Sequence, residues 1–134
     1  MKPEQIKIVK KTWKILMGVD PKIIGDAFYS KLFSDQPSIR KLFPHDMNQQ
    51  YTKLVDMLSS IIMNLDHPYI VSPGIIAMAK RHSGYGVKPI HYAMVGNALL
   101  WTLKEGLGTE WNQDIEEAWT SWYQTLAEAM IQNS

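Results

Sequence analysis

The chain has no cysteine. That excludes disulfides, thiolate nucleophiles, zinc–thiolate sites and iron–sulfur clusters. A cysteine-free chain is compatible with a reducing cytosol, and a cytoplasmic location is the expectation here. An excess of one charge is also lacking. Lys plus Arg total 14 and Asp plus Glu 13, for a formal net charge of +1. Nothing in that balance draws the chain to nucleic acid or to an anionic membrane. No apolar run approaches the roughly 18 residues that a spanning helix needs. The opening Met1-Lys2-Pro3-Glu4-Gln5 lacks the apolar core of a signal peptide. No Gly-x-Gly-x-x-Gly follows a strand, so no dinucleotide-phosphate loop is on offer. Period-two alternation and Asn-Gly hairpin signals are missing too, which argues against a sheet. No set of His, Asp and Glu has zinc-ligand spacing.

What remains is helical. The 134 residues, 46% of them hydrophobic, are enough for a domain with its own core, and one domain over 1–134 is expected. Seven prolines punctuate the chain. Pro3, Pro21, Pro37, Pro68, Pro73 and Pro89 each precede a segment of helical periodicity, and Pro44 ends one, as proline's fixed φ and missing N–H require. The periodicity predicts helices over roughly 3–17, 21–34, 37–43, 48–66, 73–84, 89–106 and 112–132, with a short segment opened by His67-Pro68. Apolar stripes run through them: Ile6, Val9, Trp13 and Leu16; then Ile24, Phe28 and Leu32; then Leu54, Met57, Leu58, Ile61 and Leu65. Later helices carry Val95, Leu99 and Leu103, and then Ile115, Trp119, Trp122, Leu126 and Met130. The reading is an all-α chain of about eight helices packed obliquely around a buried group.

Ser72 to Pro89 is the most informative stretch. Ser72 reads as an N-cap and Pro73 as a first helical residue, while Gly84 and Gly86 read as terminators. Ile75, Met78, Ala79 and His82 share one face, so a histidine closes an apolar stripe. Such a histidine is commonly a core or rim residue. Here it ends a helix before a Gly-x-Gly break and a Lys-Pro helix start. A neutral imidazole in apolar surroundings suits an axial ligand of haem iron. His45 reads as a solvated loop residue, a gate or an alternative ligand, His67 as a helix-start residue, and His91 as adjoining Tyr92 but directed elsewhere. The five tryptophans read mainly as core and inter-helix packing.

Taken in order, these residues resemble the bacterial globins, in particular the haem domain of flavohaemoglobins and their single-domain relatives. The likeness rests on Ala27-Phe28-Tyr29-Ser30-Lys31-Leu32-Phe33, Pro37-Ser38-Ile39-Arg40-Lys41-Leu42-Phe43, Lys80-Arg81-His82, and Gly86 through Gly96 with its His91-Tyr92-x-x-Val95-Gly96. Ala118-Trp119 and Tyr123 extend it into the last helix. The resemblance implies a globin fold holding haem b, with His82 as the iron ligand. It implies Phe43 packed on the haem, Tyr92 beside the ligand histidine, Val87 as a further haem contact, and Arg81 as a partner for a propionate. Tyr29 and Gln50 fall on the pair that holds bound dioxygen, with Leu54 over the iron. The short loop after Phe43 leaves Tyr51 and Lys53 as alternatives to Gln50.

The resemblance also implies dioxygen, carbon monoxide and nitric oxide as ligands. One histidine ligand with no second well-placed histidine leaves an open coordination position. Reversible dioxygen binding and transport is the first expectation, with nitric oxide detoxification where a separate reductase supplies electrons. A haem-based gas sensor and a haem-free helical interaction module are the alternatives. The last residues, Met130-Ile131-Gln132-Asn133-Ser134, lack the glutamate that flavohaemoglobins set against the ligand histidine, so a weakly electron-donating imidazole is expected. The flavin-reductase portion of flavohaemoglobins is likewise not expected within these residues.

Overall fold

The computed structural model describes residues 2–65, 68–84 and 86–133. Among them lie six α-helices, two 3₁₀ turns and no strand. The helices are α1 (Pro3–Leu16), α2 (Pro21–Asp35), α3 (Asn48–Met63), α4 (Pro68–Gly84), α5 (Pro89–Leu107) and α6 (Gln113–Gln132). The 3₁₀ turns span Pro37–Leu42 and Gly108–Glu110. Proline opens α1, α2, α4 and α5, where its lost N–H would have had no helical partner. Asp20 caps α2 by accepting the Lys22 N–H at 2.9 Å, and Asn112 caps α6 by accepting the Ile115 N–H at 3.0 Å.

One boundary differs from the sequence reading. Ser72-Pro73 does not start a helix; α4 runs unbroken from Pro68. Proline's φ is helical, and this near a helix start it removes a single backbone bond, so the earlier proline sets the boundary. The short segment and the Pro73 helix are therefore one. His67 lies outside the described residues. The long third helix ends at Met63, short of the expected Asp66, which is also outside them.

Packing runs in two sets. α2 lies against α3 and α5, while α6 lies against α1, α4 and α5. The large apolar side chains of the core are Trp13, Trp119 and Trp122, all fully buried. Their ring centroids are 6.0 Å apart for Trp13–Trp119 and 5.3 Å for Trp119–Trp122. Two of the indole N–H groups have side-chain partners: Trp119 Nε1 donates to Thr12 Oγ1 at 2.9 Å, and Trp13 Nε1 to Ser59 Oγ at 2.9 Å. Trp101 departs from the core pattern. It is exposed on α5, with the Lys31 ammonium 5.6 Å from its ring centroid.

Gly25 decides how near α2 comes to α3. A Cβ there would lie 2.6 Å from Tyr51 Cα and 2.8 Å from its carbonyl oxygen. The obstacle is backbone, so relief requires the helices to separate. Gly106 meets only the Leu16 side chain, which can rotate away. Gly25→Ala is therefore expected to lower the free energy of unfolding by about 1–3 kcal/mol, despite alanine's better helix propensity of about 1 kcal/mol. Gly106→Ala should cost less. Urea denaturation of the three proteins measures this, and a stabilised Gly25→Ala protein would show that the crossing is looser than described.

Candidate functional site

Between α2 and α3 on one side and α4, α5 and α6 on the other lies a cavity of about 500 Å³. Most of its wall is apolar: Phe28, Leu32, Ile39, Leu54, Leu58, Met78, Val95 and Leu99 all contribute. Every site residue expected from the sequence borders it, namely Tyr29, Phe43, Gln50, Leu54, Arg81, His82, Val87 and Tyr92.

His82 comes from the last turn of α4. Its Nδ1 lies 2.8 Å from the Met78 carbonyl oxygen, one turn back. A carbonyl only accepts, so Nδ1 carries the proton and Nε2 the lone pair. The helix thereby fixes the tautomer that a metal ligand requires.

Tyr29 comes from α2 and Gln50 from the first turn of α3. Gln50 Nε2 donates to the Tyr29 hydroxyl oxygen at 3.1 Å. The phenol's own proton is then directed to another acceptor. The Tyr29 ring sits among Phe28, Phe33, Phe43 and Tyr51, with centroids 4.9, 5.7, 5.2 and 6.0 Å away. Burial in this cluster pushes its pKa up to about 12, against the opposing pull of the Gln50 hydrogen bond. Tyr29 is a protonated donor at every physiological pH.

The two alternatives to Gln50 are placed differently. Tyr51 packs over Gly25 and lines a second, more open cleft of about 560 Å³. Among the described residues, Tyr29 is the one side chain common to the two spaces. Lys53 borders the cavity but is exposed at its edge. His45 is exposed and lines the outer cleft, away from the cavity.

Arg40 holds the connection between the 3₁₀ turn and α3. Its guanidinium donates to the carbonyls of Phe43 at 3.3 Å, Pro44 at 2.8 Å and His45 at 2.8 Å. That staple fixes where Phe43 enters the cavity wall. The sequence reading assigned Arg40 no part, because a surface arginine looks the same in sequence whether it is stapled or solvated.

On the other side, the Tyr123 hydroxyl donates to the Tyr92 carbonyl at 2.5 Å. Burial raises the Tyr123 pKa above its usual value, with Tyr92 nearby adding to it, and burial raises that of Tyr92 as well. A Cβ on Gly96 would fall 2.6 Å from the Tyr123 ring, so a glycine in α5 seats this tyrosine. His91 corrects the sequence reading. It borders the cavity instead of pointing elsewhere, because its Nδ1 is drawn back to accept the Lys88 N–H at 2.9 Å.

The site thus offers one imidazole lone pair, an apolar slot, a phenol–amide donor pair, and two exposed cations, Lys53 and Arg81, at the edge. That donor set fits a haem: a flat apolar macrocycle, one axial nitrogen, and a wet edge for carboxylates. No group of three or more His, Cys, Asp or Glu is assembled among the described residues.

Six helices arranged around such a cavity are the architecture of the globin class of fold. The family model described as Globin matches residues 26–130, and the chain is a member of the globin family. It is 29% identical over 131 residues to a flavohemoprotein of Vibrio cholerae, covering 96% of this chain and 33% of that protein. A flavohemoprotein of Bacillus subtilis is 30% identical over 129 residues, covering 94% of this chain and 32% of its own length. The chain thus spans about a third of the length of these curated relatives. A bacterial globin from Campylobacter jejuni superposes with a TM-score of 0.85 at 24% identity, covering 98% of this chain and 95% of its own. An engineered carbene transferase from Rhodothermus marinus, whose parent is named for nitric oxide dioxygenation, gives 0.87 at 25%, covering 98% and 92%. No described helix is long and apolar enough to cross a membrane.

The raised phenol pKa values have a consequence for stability. Unfolding frees Tyr29 to ionise near pH 10, whereas the folded protein holds its proton to about 12. The folded state therefore binds more protons in that window, and this contribution is full below pH 10 and lost as pH rises toward 12. Tyr29→Phe is expected to flatten the decline of unfolding free energy between pH 10 and 12 relative to the wild type. Urea midpoints across that range measure it, and parallel curves for the two proteins would contradict the burial assigned to this hydroxyl.

Proposed function

We propose that the chain is a haem b globin that binds dioxygen reversibly, with His82 as the protein ligand of the iron and Tyr29 and Gln50 as the groups that hold the gas. The observation that carries this reading is the 3.1 Å hydrogen bond from Gln50 to the Tyr29 oxygen within the cavity wall. Haem b, when bound, supplies an iron with one coordination position open to a diatomic gas.

The protein's own groups account for selectivity. Gln50 occupies the Tyr29 lone pair and so aims the phenol's hydrogen. That hydrogen serves a ligand carrying negative charge on its outer atom, as dioxygen does and carbon monoxide does to a lesser degree. Leu54 and Phe43 keep the pocket apolar, which strengthens the donor and excludes water. On the other side, the Met78 carbonyl orients the His82 ring, and Val87 and Tyr92 flank the slot.

Nitric oxide dioxygenation extends this reading. Nitric oxide, dioxygen and one electron give nitrate, and the electron must come from outside residues 1–134, which hold no nucleotide-phosphate fingerprint. The flavohemoprotein relatives and the Rhodothermus marinus neighbour support that chemistry. The cysteine-free composition suits a cytoplasmic setting.

Reconstituted protein is expected to show a Soret band whose ferrous form is five-coordinate. His82→Ala should remove the histidine-bound ferrous spectrum. Retention of an unchanged spectrum by that variant would rule His82 out as the ligand. Tyr29→Phe should speed dioxygen release by about tenfold to a hundredfold, the range for one hydrogen bond to a charged acceptor, and change carbon monoxide release little. Stopped-flow displacement measures both rates. Equal effects on the two gases would mean that Tyr29 acts through its shape.

A further inference from the structure

We propose that His91 is a positioning residue for the haem's carboxylate edge, donating its Nε2–H to one propionate at the mouth of the cavity. The inference deepens the haem reading above and rests on it.

His91 Nδ1 accepts the Lys88 backbone N–H at 2.9 Å. A nitrogen that accepts carries no proton, so the ring proton is on Nε2. The cap bond that starts α5 thus turns His91 into a donor with its other nitrogen.

A haem entering this slot buries its apolar macrocycle, but its two ionised carboxylates are strongly disfavoured if dehydrated without partners. They stay where the cavity opens to water. Three polar side chains of the wall are already engaged. Gln50 is bonded to Tyr29, the Tyr123 hydroxyl to the Tyr92 carbonyl, and His82 to Met78. Lys53, Arg81 and half-buried His91 carry donors at the open edge, and the half-buried Tyr92 hydroxyl borders the same wall.

Lys53 and Arg81 sit on long, exposed side chains that lose much rotamer freedom on pairing. The His91 ring is already held by backbone, so little further freedom is lost when it donates. His91 therefore fixes which way round the carboxylate edge sits, while the two cations supply charge.

The experiment compares wild type, His91→Ala and His91→Glu, each loaded with haem b or with haem b dimethyl ester. Loss of the porphyrin to a high-affinity apoglobin acceptor is followed at the Soret band. Glutamate at this third helical position can still accept the Lys88 N–H, so the helix start and the thermal midpoint of the apoprotein are retained. It brings no donor and repels a carboxylate. For haem b, both variants should lose the group about tenfold faster than wild type or more, with His91→Glu the faster. For the dimethyl ester, which has no carboxylate, all three rates should agree within about twofold. Acceleration that persists with the ester would mean that His91 acts by holding α5, and the proposal fails. Unchanged haem b loss in both variants also overturns it. A wild-type chain that takes up no haem overturns the haem reading and this one together, whereas normal uptake with either of the preceding results overturns this one alone.

Discussion

The close crossing of α2 over α3 governs the site. Gly25 lets the Tyr51 backbone come to where a Cβ would stand, and the consequence appears one helical turn further on. Tyr29 follows Gly25 by four residues and so lies on the same face of α2. Gln50 precedes Tyr51 in the first turn of α3. Only because the two backbones nearly touch can a tyrosine from one helix and a glutamine from the other meet at 3.1 Å. The hydrogen bond, the burial of the phenol and its raised pKa all follow from a missing methyl group.

A cavity of about 500 Å³ within a chain of this size also has to be held open. Close-packed interiors collapse onto large voids unless stiff elements frame them. The frame here is aromatic and polar in turn. The three buried tryptophans tie α6 to α1 away from the cavity, and the Trp119–Thr12 hydrogen bond fixes their register. On the cavity's rim, the Arg40 staple gathers three successive carbonyls and holds Phe43 at the wall. Tyr123, seated against Gly96, closes the opposite corner through the Tyr92 carbonyl. Each brace is a side chain whose polar end is satisfied, so its large apolar body can be buried without an orphaned donor. Haem would complete the core that these braces leave unfilled.

Two histidines illustrate how local backbone bonds choose chemistry. His82 and His91 are both tethered through Nδ1, one to a carbonyl and the other to an N–H. The partner's polarity sets the tautomer. A carbonyl leaves the lone pair of His82 on Nε2, as a metal requires, and an N–H leaves a proton on Nε2 of His91, as a carboxylate requires. Identical side chains at the border of one cavity are thereby left with opposite capacities at Nε2, one to accept and one to donate.

The sequence by itself determined the helices, their apolar faces and the lone histidine that ends a stripe, because those features depend on spacing of 3.6 residues and on where proline is tolerated. It also carried the family likeness, which rests on ordered local motifs. It misread the start of α4, since two prolines five residues apart both look like helix starts and only one backbone path can use them. It left open which of Gln50, Tyr51 and Lys53 faces the cavity, because the short loop after Phe43 fixes no rotation for the helix that follows. The crossing at Gly25 decided that rotation, turning Gln50 inward, Tyr51 to the outer cleft and Lys53 to the edge. The direction of His91 was likewise invisible in spacing, because it depends on one hydrogen bond back to Lys88. Periodicity assigns a residue to a face of its own helix. What that face meets is decided by how near the neighbouring backbone can come.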